Sequence, residues 1–221
     1  MAYEVPALGT AGQVYTAAAH NIIVNDILQF APMVQGVFTN EAARDAAITS
    51  PTEGMHAYLT APTVPAAVGG ANGTAAVPLG VQTIYNGFVW VCVTPVGANT
   101  NQSGTLAGSG SFSTTMTGDA TAVSATLVTG TTVRIDIFAE GVNSSAAGNF
   151  LTYSVSGATT VAAGLGNGAW SEAAANIDFL LSRGRIITGL TAGTNTFTLN
   201  YRTDTSTITL TTRSLMVTGI A

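Results

Sequence analysis

The chain has 221 residues, and 8% of them are charged, against about 25% in ordinary soluble domains. Its six basic residues are all Arg, Lys is absent, and eleven acids bring the net charge to −5. So few cations cannot build the basic stripe that nucleic-acid binding requires, and a hydrophobic content of 47% excludes intrinsic disorder.

Other classes fall next. A membrane-spanning helix needs about 18 consecutive apolar residues. The most apolar stretch, 81–96, is cut by Asn86, Gly87 and Pro95. The opening MAYEVPALG has neither the basic nor the apolar region of a secretory leader. The single cysteine, Cys92, forbids an internal disulfide and lies in the apolar run FVWVCV, where a buried, inert thiol is expected. A chain this apolar with so little charge is expected to bury surface in an assembly. Abundant Thr, Val and Ile favour pleated sheets.

In chain order, residues 1–11 read as an extended arm. Thr16 caps an expected helix over 17–30, which stops before Pro32. Ile23, Ile27, Phe30 and Val34 recur at steps of four, three and four, the seam of a short coiled coil and a candidate assembly contact. Residues 1–35 thus form an arm and helix suited to attachment. Gln35 to Phe38 suits a short strand, and Thr39 or Asn40 caps a second helix, EAARDAAI. Glu41 suits its positive end and is spaced to pair with Arg44. Residues 50–54 form a turn, and Met55 to Thr60 alternates as a strand. The stretch 61–80, rich in Pro, Gly and Ala, reads as a long loop or arm. Asn86-Gly87 between apolar runs signals a hairpin with a type I′ turn. Residues 36–95 thereby make a small α+β module.

Residues 96–110 have almost no core-forming side chains and read as a linker. From 111 to 221 the pattern is all β. Strands are expected over 111–117, 121–128, 133–140, 149–156, 186–190, 196–201 and 207–217. Val133, Ile135 and Ile137 face one way, Arg134 and Asp136 the other. Phe197, Leu199 and Tyr201 alternate with Thr198 and Asn200. Short strands at this spacing imply a sandwich or barrel. The stretch 169–181 is ambiguous between strand and a helical turn, with Trp170 and Phe179 as core anchors. The fold class expected is mainly β: short N-terminal helices and a small α+β module, then a C-terminal sandwich of jelly-roll type.

No catalytic set emerges. His20 and His56 lack partners at metal-ligand spacing. No G-x-S-x-G elbow is present, and Gly166-Asn167-Gly168 and Gly69-Gly70 are too short for phosphate loops. Asp136, Glu140, Glu172, Asp178 and Asp204 are candidate glycosidase carboxylates, yet they read more simply as solvated groups on strand faces and turns. Asp119 fits a Gly-Asp turn. No catalytic residue, metal site or cofactor is therefore expected, and a receptor-binding residue is not identified.

Two segments carry a resemblance. TAGQVYTAAAHNIIVNDILQFAP resembles the opening of bacteriophage tail proteins, through Thr16, Ala17, Ala18 and Asn21. FTNEAARDAAITSPTEGMHAYLTAPT with IYNGFVWV is similar to a module of phage minor tail and fibre proteins, through Arg44, Asp45, Ala46, Ile48, Pro51, Gly54 and Met55, then Tyr85, Gly87 and Trp90. The chain departs from that pattern by inserting 61–80, which marks an arm toward a neighbour. The C-terminal half resembles, in pattern only, the compact sandwiches that end phage fibres, some of them trimeric jelly rolls of the tumour-necrosis-factor type.

The resemblance implies a virion structural protein assembled in the host cytoplasm. It implies a minor tail protein near the tail tip that contributes to host adsorption, with a head fibre or capsid decoration protein as the alternative and a glycan-degrading enzyme third. The implied partners are two further copies of itself in a homotrimer, other virion proteins through the N-terminal arm and helix, and a host surface glycan or polymer touched by loops 140–147 and 163–169. Nucleic-acid binding and membrane insertion are not expected.

Overall fold

The computed structural model describes residues 34–70, 75–76 and 80–221. The arm, the first helix, His20 and the seam residues Ile23, Ile27 and Phe30 lie outside the described residues. Val34, the fourth seam position, opens strand β1 (Val34–Phe38) and pairs with His56. The β-branched VQGVF run suits a strand.

Helix α1 (Glu41–Ala47) follows, its N-cap Asn40 accepting from Ala43 N. Strands β2 (His56–Leu59), β5 (Val81–Tyr85) and β6 (Trp90–Cys92) join β1 in a four-stranded sheet ordered β1-β2-β5-β6. The hairpin exists, but not with the two-residue turn. Tyr85 pairs with Trp90, so residues 86–89 form a four-residue loop in which only Gly87 has positive φ. The Asn86 side chain stabilises that loop itself, accepting from Phe88 N and Val89 N through Oδ1.

The rest is a two-sheet sandwich. Its long strands are β9 (Ser124–Thr129), β10 (Thr132–Asn143), β11 (Ala147–Gly157), β12 (Ala169–Ala173), β13 (Asp178–Thr188), β14 (Gly193–Thr203) and β15 (Thr207–Ile220). They are joined by β7 (Val96–Thr100). The pairings β11–β12, β10–β13, β9–β14 and β7–β15 are all antiparallel. They describe one long hairpin whose two arms stay paired from the tip outward. Successive pairs alternate between sheets, giving β13-β10-β15-β7 facing β12-β11-β14-β9. This is the strand order of a jelly roll.

Inward positions follow the expected alternation. Val133, Ile135 and Ile137 meet Phe197, Leu199 and Tyr201 in one core. The stretch 169–181 gives β12 and the start of β13, not a helical turn, and residues 111–117 form only isolated bridges. Phe179 enters the core as expected, whereas Trp170 points out and is 65% exposed.

Residues 96–110 are not a linker. They contain β7 and β8 (Gly104–Ala107), both paired to β15. Small residues are required here by close packing. A Cβ on Gly104 would fall 2.8 Å from Met116 Cβ, and one on Gly97 would fall 3.3 Å from Leu215 O. The inserted stretch 61–80 also returns to its own sandwich. Strand β3 (Ala66–Val68) pairs with β9, and β4 (Ala75–Ala76) pairs with β7. Both would otherwise be open edges, which natural sheets cover or blunt.

Nor is the module a separate unit. Leu59, Val81 and Cys92 belong to the same buried cluster as the sandwich core. Gly219 of β15 lies against Cys92, where a Cβ would sit 2.4 Å from the Cys92 carbonyl oxygen. Gly130 likewise abuts Asn86 and Val91. The module therefore caps the end of the sandwich where β9 ends and β15 finishes.

Candidate functional site

All six Arg are engaged within the chain. Arg44 is buried over the Trp90 ring at 4.7 Å and pairs with Asp45 at 2.8 Å. It does not pair with Glu41 as the spacing suggested. The Glu41 carboxylate instead accepts from Thr63 N, Thr63 Oγ1 and Val64 N at 2.8–2.9 Å, holding the inserted stretch to the helix start. Burial pushes this carboxyl up, but those hydrogen bonds outweigh it and hold it below the usual value.

Arg134 pairs with Asp136 on the outer face of the first sheet. Arg183 and Arg185 reach across the sandwich edge. Arg183 Nη1 donates to Gly168 O, and Arg185 Nη1 donates to Gly166 O and Asn167 Oδ1. Thr152 Oγ1 adds a bond to Gly164 O. The loop 163–169, expected as a free contact loop, is thus strapped to the body. Of the other expected loop, Glu140–Asn143 belongs to β10, and only 144–146 form its exposed tip.

Arg213 is fully buried. Its Nη2 donates to Asp119 Oδ2 at 2.7 Å and to Gln102 O at 2.8 Å, while Thr100 Oγ1 donates to the same Asp119 oxygen at 2.6 Å. Tyr201 packs beneath the guanidinium, 5.4 Å from its ring centroid. Burial pushes the Tyr201 phenol well above its ordinary pKa. A β-bulge explains how a cation came inside. The β10–β15 register slips between Glu140 and Gly141, leaving Thr211 as the extra residue. The inward set of β15 therefore changes phase, from Ile208 and Leu210 to Arg213, Leu215 and Val217.

The sixth cation, Arg202, belongs to an open surface. On the outer face of the second sheet Phe150 is in register with Trp170 on one side and Arg202 on the other. The Phe150 and Trp170 rings stack at 25° with centroids 6.4 Å apart. The Arg202 guanidinium lies 5.0 Å from the Phe150 centroid and 5.8 Å from that of Phe112. Its Nη2 pairs with Asp204 at 2.6 Å. The next row along the strands is Glu172 and Gly148, in register, with Asp204 N donating to Gly148 O. A Cβ on Gly148 would fall 2.9 Å from Asp204 Oδ2 and 3.3 Å from Phe150 Cε2. Gly148 thus leaves room for Asp204 and Phe150 to lie over it, bringing the carboxylate against the aromatic strip. This is the candidate site: Trp170, Phe150, Arg202 and Phe112 in one row, Glu172, Gly148 and Asp204 in the next.

The site stands at the sandwich end remote from the module, since β14 runs from Gly193 beside Thr129 to Thr203 beside Asn149. Sequence reasoning placed Trp170 in the core. The usable signal was alternation in AWSEA, where Trp170 and Glu172 share one face.

The other carboxylates are dispersed. Asp136 is tied to Arg134, while Glu140 and Asp178 are exposed on β10 and β13. Among the described residues, no three of His, Cys, Asp and Glu group to hold a metal ion. His56 Nδ1 lies 3.1 Å from Gln82 Nε2. Among the same residues, no helix is long and apolar enough to cross a membrane.

No protein-family model matches the chain, and no curated protein does. Several solved structures are similar over parts of it. One is of infectious bursal disease virus, Gx strain: 13% identity, TM-score 0.41, covering 63% of this chain and 42% of that one. Another is the Clostridium thermocellum endo-1,4-β-D-xylanase 10B fragment complexed with xylohexaose: 10% identity, TM-score 0.29, covering 56% and 27%. The chain spans less than half of either matched chain, and both likenesses are too loose to carry a functional argument.

Proposed function

We propose that the chain is a virion structural subunit of the phage minor tail or fibre type, assembled in the host cytoplasm, whose jelly roll faces outward and contributes to host adsorption. One observation carries this reading. The attachment segment leads into a module that caps one end of the sandwich, and the open aromatic face lies toward the other end. The surface chemistry agrees. Every Arg is engaged within the chain, so among the described residues the exterior offers few free charges, a surface suited to packing in an assembly.

The subunit is proposed to be a homotrimer. Leu180, Ile186 and Met216 project from the outer face of the first sheet at 42–60% exposure, a surface apolar enough to meet other copies. The N-terminal arm and helix would join it to other virion proteins. The protein acts by binding and not as an enzyme, its carboxylates serving as ion-pair partners and rim groups. Three copies would multiply weak surface contacts by avidity.

Gold-labelled antibody on intact particles tests the reading. Label at the tail tip is the expected result. Label over the head would move the subunit to a head fibre or decoration. Absence of label on every particle would overturn the virion reading. Cell-binding assays should use the whole chain, because 111–221 lacks β3, β4, β7 and β8 of its own sandwich.

A further inference from the structure

We propose that the Trp170–Phe150 face is a binding platform for a neutral polysaccharide, gripping pyranose rings by their apolar faces. This rests on the adsorption reading above and narrows it to one surface and one ligand class.

The observations are of three kinds. First, Trp170 is 65% exposed although it belongs to a regular strand, and its ring is held nearly parallel to Phe150. Large aromatic side chains gain most by burial, so an open pair of this kind marks a contact surface. The pair is also preorganised. Phe150 is clamped between Trp170 and the Arg202 guanidinium, which is itself tied to Asp204. A rigid platform loses little conformational freedom when a ligand arrives.

Second, the polar groups sit where a sugar needs them. The C–H face of a pyranose stacks on an aromatic ring, while its hydroxyls project sideways and donate to carboxylates. Glu172 and Asp204 stand on either side of Gly148, in the row beside the aromatic strip. Such sites combine an apolar floor with a few converging polar groups. Gly148 lets the Asp204 carboxylate and the Phe150 ring pack down side by side over the strand, since a side chain there would collide with both.

Third, charge selects among glycans. Asp204 neutralises Arg202, and Glu172 leaves the face net negative. The nearest strands' other cations, Arg183 and Arg185, are turned to the loop before Trp170, where they donate to Gly168 O, Gly166 O and Asn167 Oδ1, and the chain has no Lys. An anionic polysaccharide would be repelled, and a neutral one would not.

Tryptophan emission of the whole chain reports the site directly, because Trp90 is buried and Trp170 is open. The probes are maltohexaose, cellohexaose and xylohexaose, with polysialic acid as the anionic comparison. The expected result is a saturable emission change with at least one neutral hexasaccharide and none with polysialic acid. In calorimetry, Trp170→Ala should weaken that binding at least tenfold, and Asp204→Asn should weaken it severalfold, both with unchanged circular dichroism. No response to any neutral hexasaccharide would overturn the glycan proposal while leaving labelling of the particle, and so the virion reading, untouched. Undiminished binding by Trp170→Ala would also overturn it. So would a fall in molecular mass on that substitution, which would make the face a contact between copies. Shortening of a hexasaccharide during the measurement would overturn a purely binding role.

Discussion

Arg213 and Asp119, ninety-four positions apart, form an ion pair of 2.7 Å in which neither side chain is exposed. The pair locks the irregular stretch after β8 onto the last strand, with Thr100 and Gln102 completing the set. Gly70 backs onto it so closely that a Cβ there would lie 2.1 Å from Thr100 Oγ1 and 2.3 Å from Asp119 Oδ2. Four distant segments thus converge on one carboxylate. Asp119→Ala should lower unfolding free energy by about 3–5 kcal/mol in urea titration, because a buried cation loses its partner. The double variant Asp119→Ala, Arg213→Met should be less damaging than the single one. Equal loss in both would show that the pair adds nothing beyond its packing.

The seam between module and sandwich depends on Gly219. A Cβ there would press on the Cys92 carbonyl at 2.4 Å, and backbone cannot give way as a side-chain tip can. Gly219→Ala should therefore cost about 1–3 kcal/mol, the range for overpacking. Gly166→Ala, with nothing within 4 Å, should be near neutral. A single unfolding transition in wild type, by fluorescence of Trp90 in the module and Trp170 in the sandwich, would agree with their shared core.

Much of this architecture was readable because period-two alternation is a direct consequence of strand geometry. Val133, Ile135 and Ile137 had one face available to them, and they took it. The linker failed for a physical reason: Gly97, Ala98 and Gly104 look uncommitted, yet in a crowded edge small residues are what allow two strands to approach. The inward Arg213 was visible only as a phase slip between Ile208/Leu210 and Leu215/Val217. Reading its consequence needs the partner strand, because a bulge is defined by register. Gly118 beside Asp119 signals a turn, a local rule that says nothing of a partner ninety-four residues away. For Trp170 size suggests burial, while strand parity points the other way, and parity decides.

Acid should loosen the inserted stretch. Glu41 has a lowered folded pKa, so its contribution is present above the unfolded pKa of an ordinary Glu and is lost as pH falls through the folded value. The protection of the Thr63 and Val64 amides against hydrogen exchange, corrected for the intrinsic rate at each pH, should fall as pH drops below the ordinary Glu value. Glu41→Gln should remove most of that pH dependence while keeping the fold. An unchanged pH profile in the variant would mean that another group governs the stretch.

Cys92 should resist thiol reagents in the native protein. Burial pushes its thiol up to about 11, against a weaker opposing effect from a Thr94 backbone hydrogen bond. The thiolate is the reactive form, so disulfide reagents at pH 8 should label it only after denaturation. The linkage has the opposite sign to Glu41. Its stabilising effect holds below the unfolded thiol pKa and is lost as pH rises toward the folded value. Rapid native labelling would show that the module opens from the sandwich.

The proposed trimer would use the outer face of the first sheet. In register across β13, β10 and β15 lie Leu180 with Glu140, Ser182 with Phe138 and Ser214, Gly184 with Asp136 and Met216, and Ile186 with Arg134. The middle rows are low, since Ser182, Ser214 and Gly97 line a shallow depression of about 380 Å³ beside Phe138 and Met216. Apolar shoulders around a low, nearly uncharged floor give complementary relief for packing against another copy. The ion pair on this face, Arg134–Asp136, is internally compensated, and the exposed Glu140 beside Leu180 stands at its margin. Light scattering on the whole chain should therefore give about three times its 22.3 kDa mass. Leu180→Asp with Ile186→Asp should shift the particle toward monomer, because like charges would face one another across a desolvated contact. Both side chains are about 60% exposed in the single chain, so each fold should survive. A wild-type monomer at working concentration would remove the trimer, and an unshifted double variant would move the contact to another face.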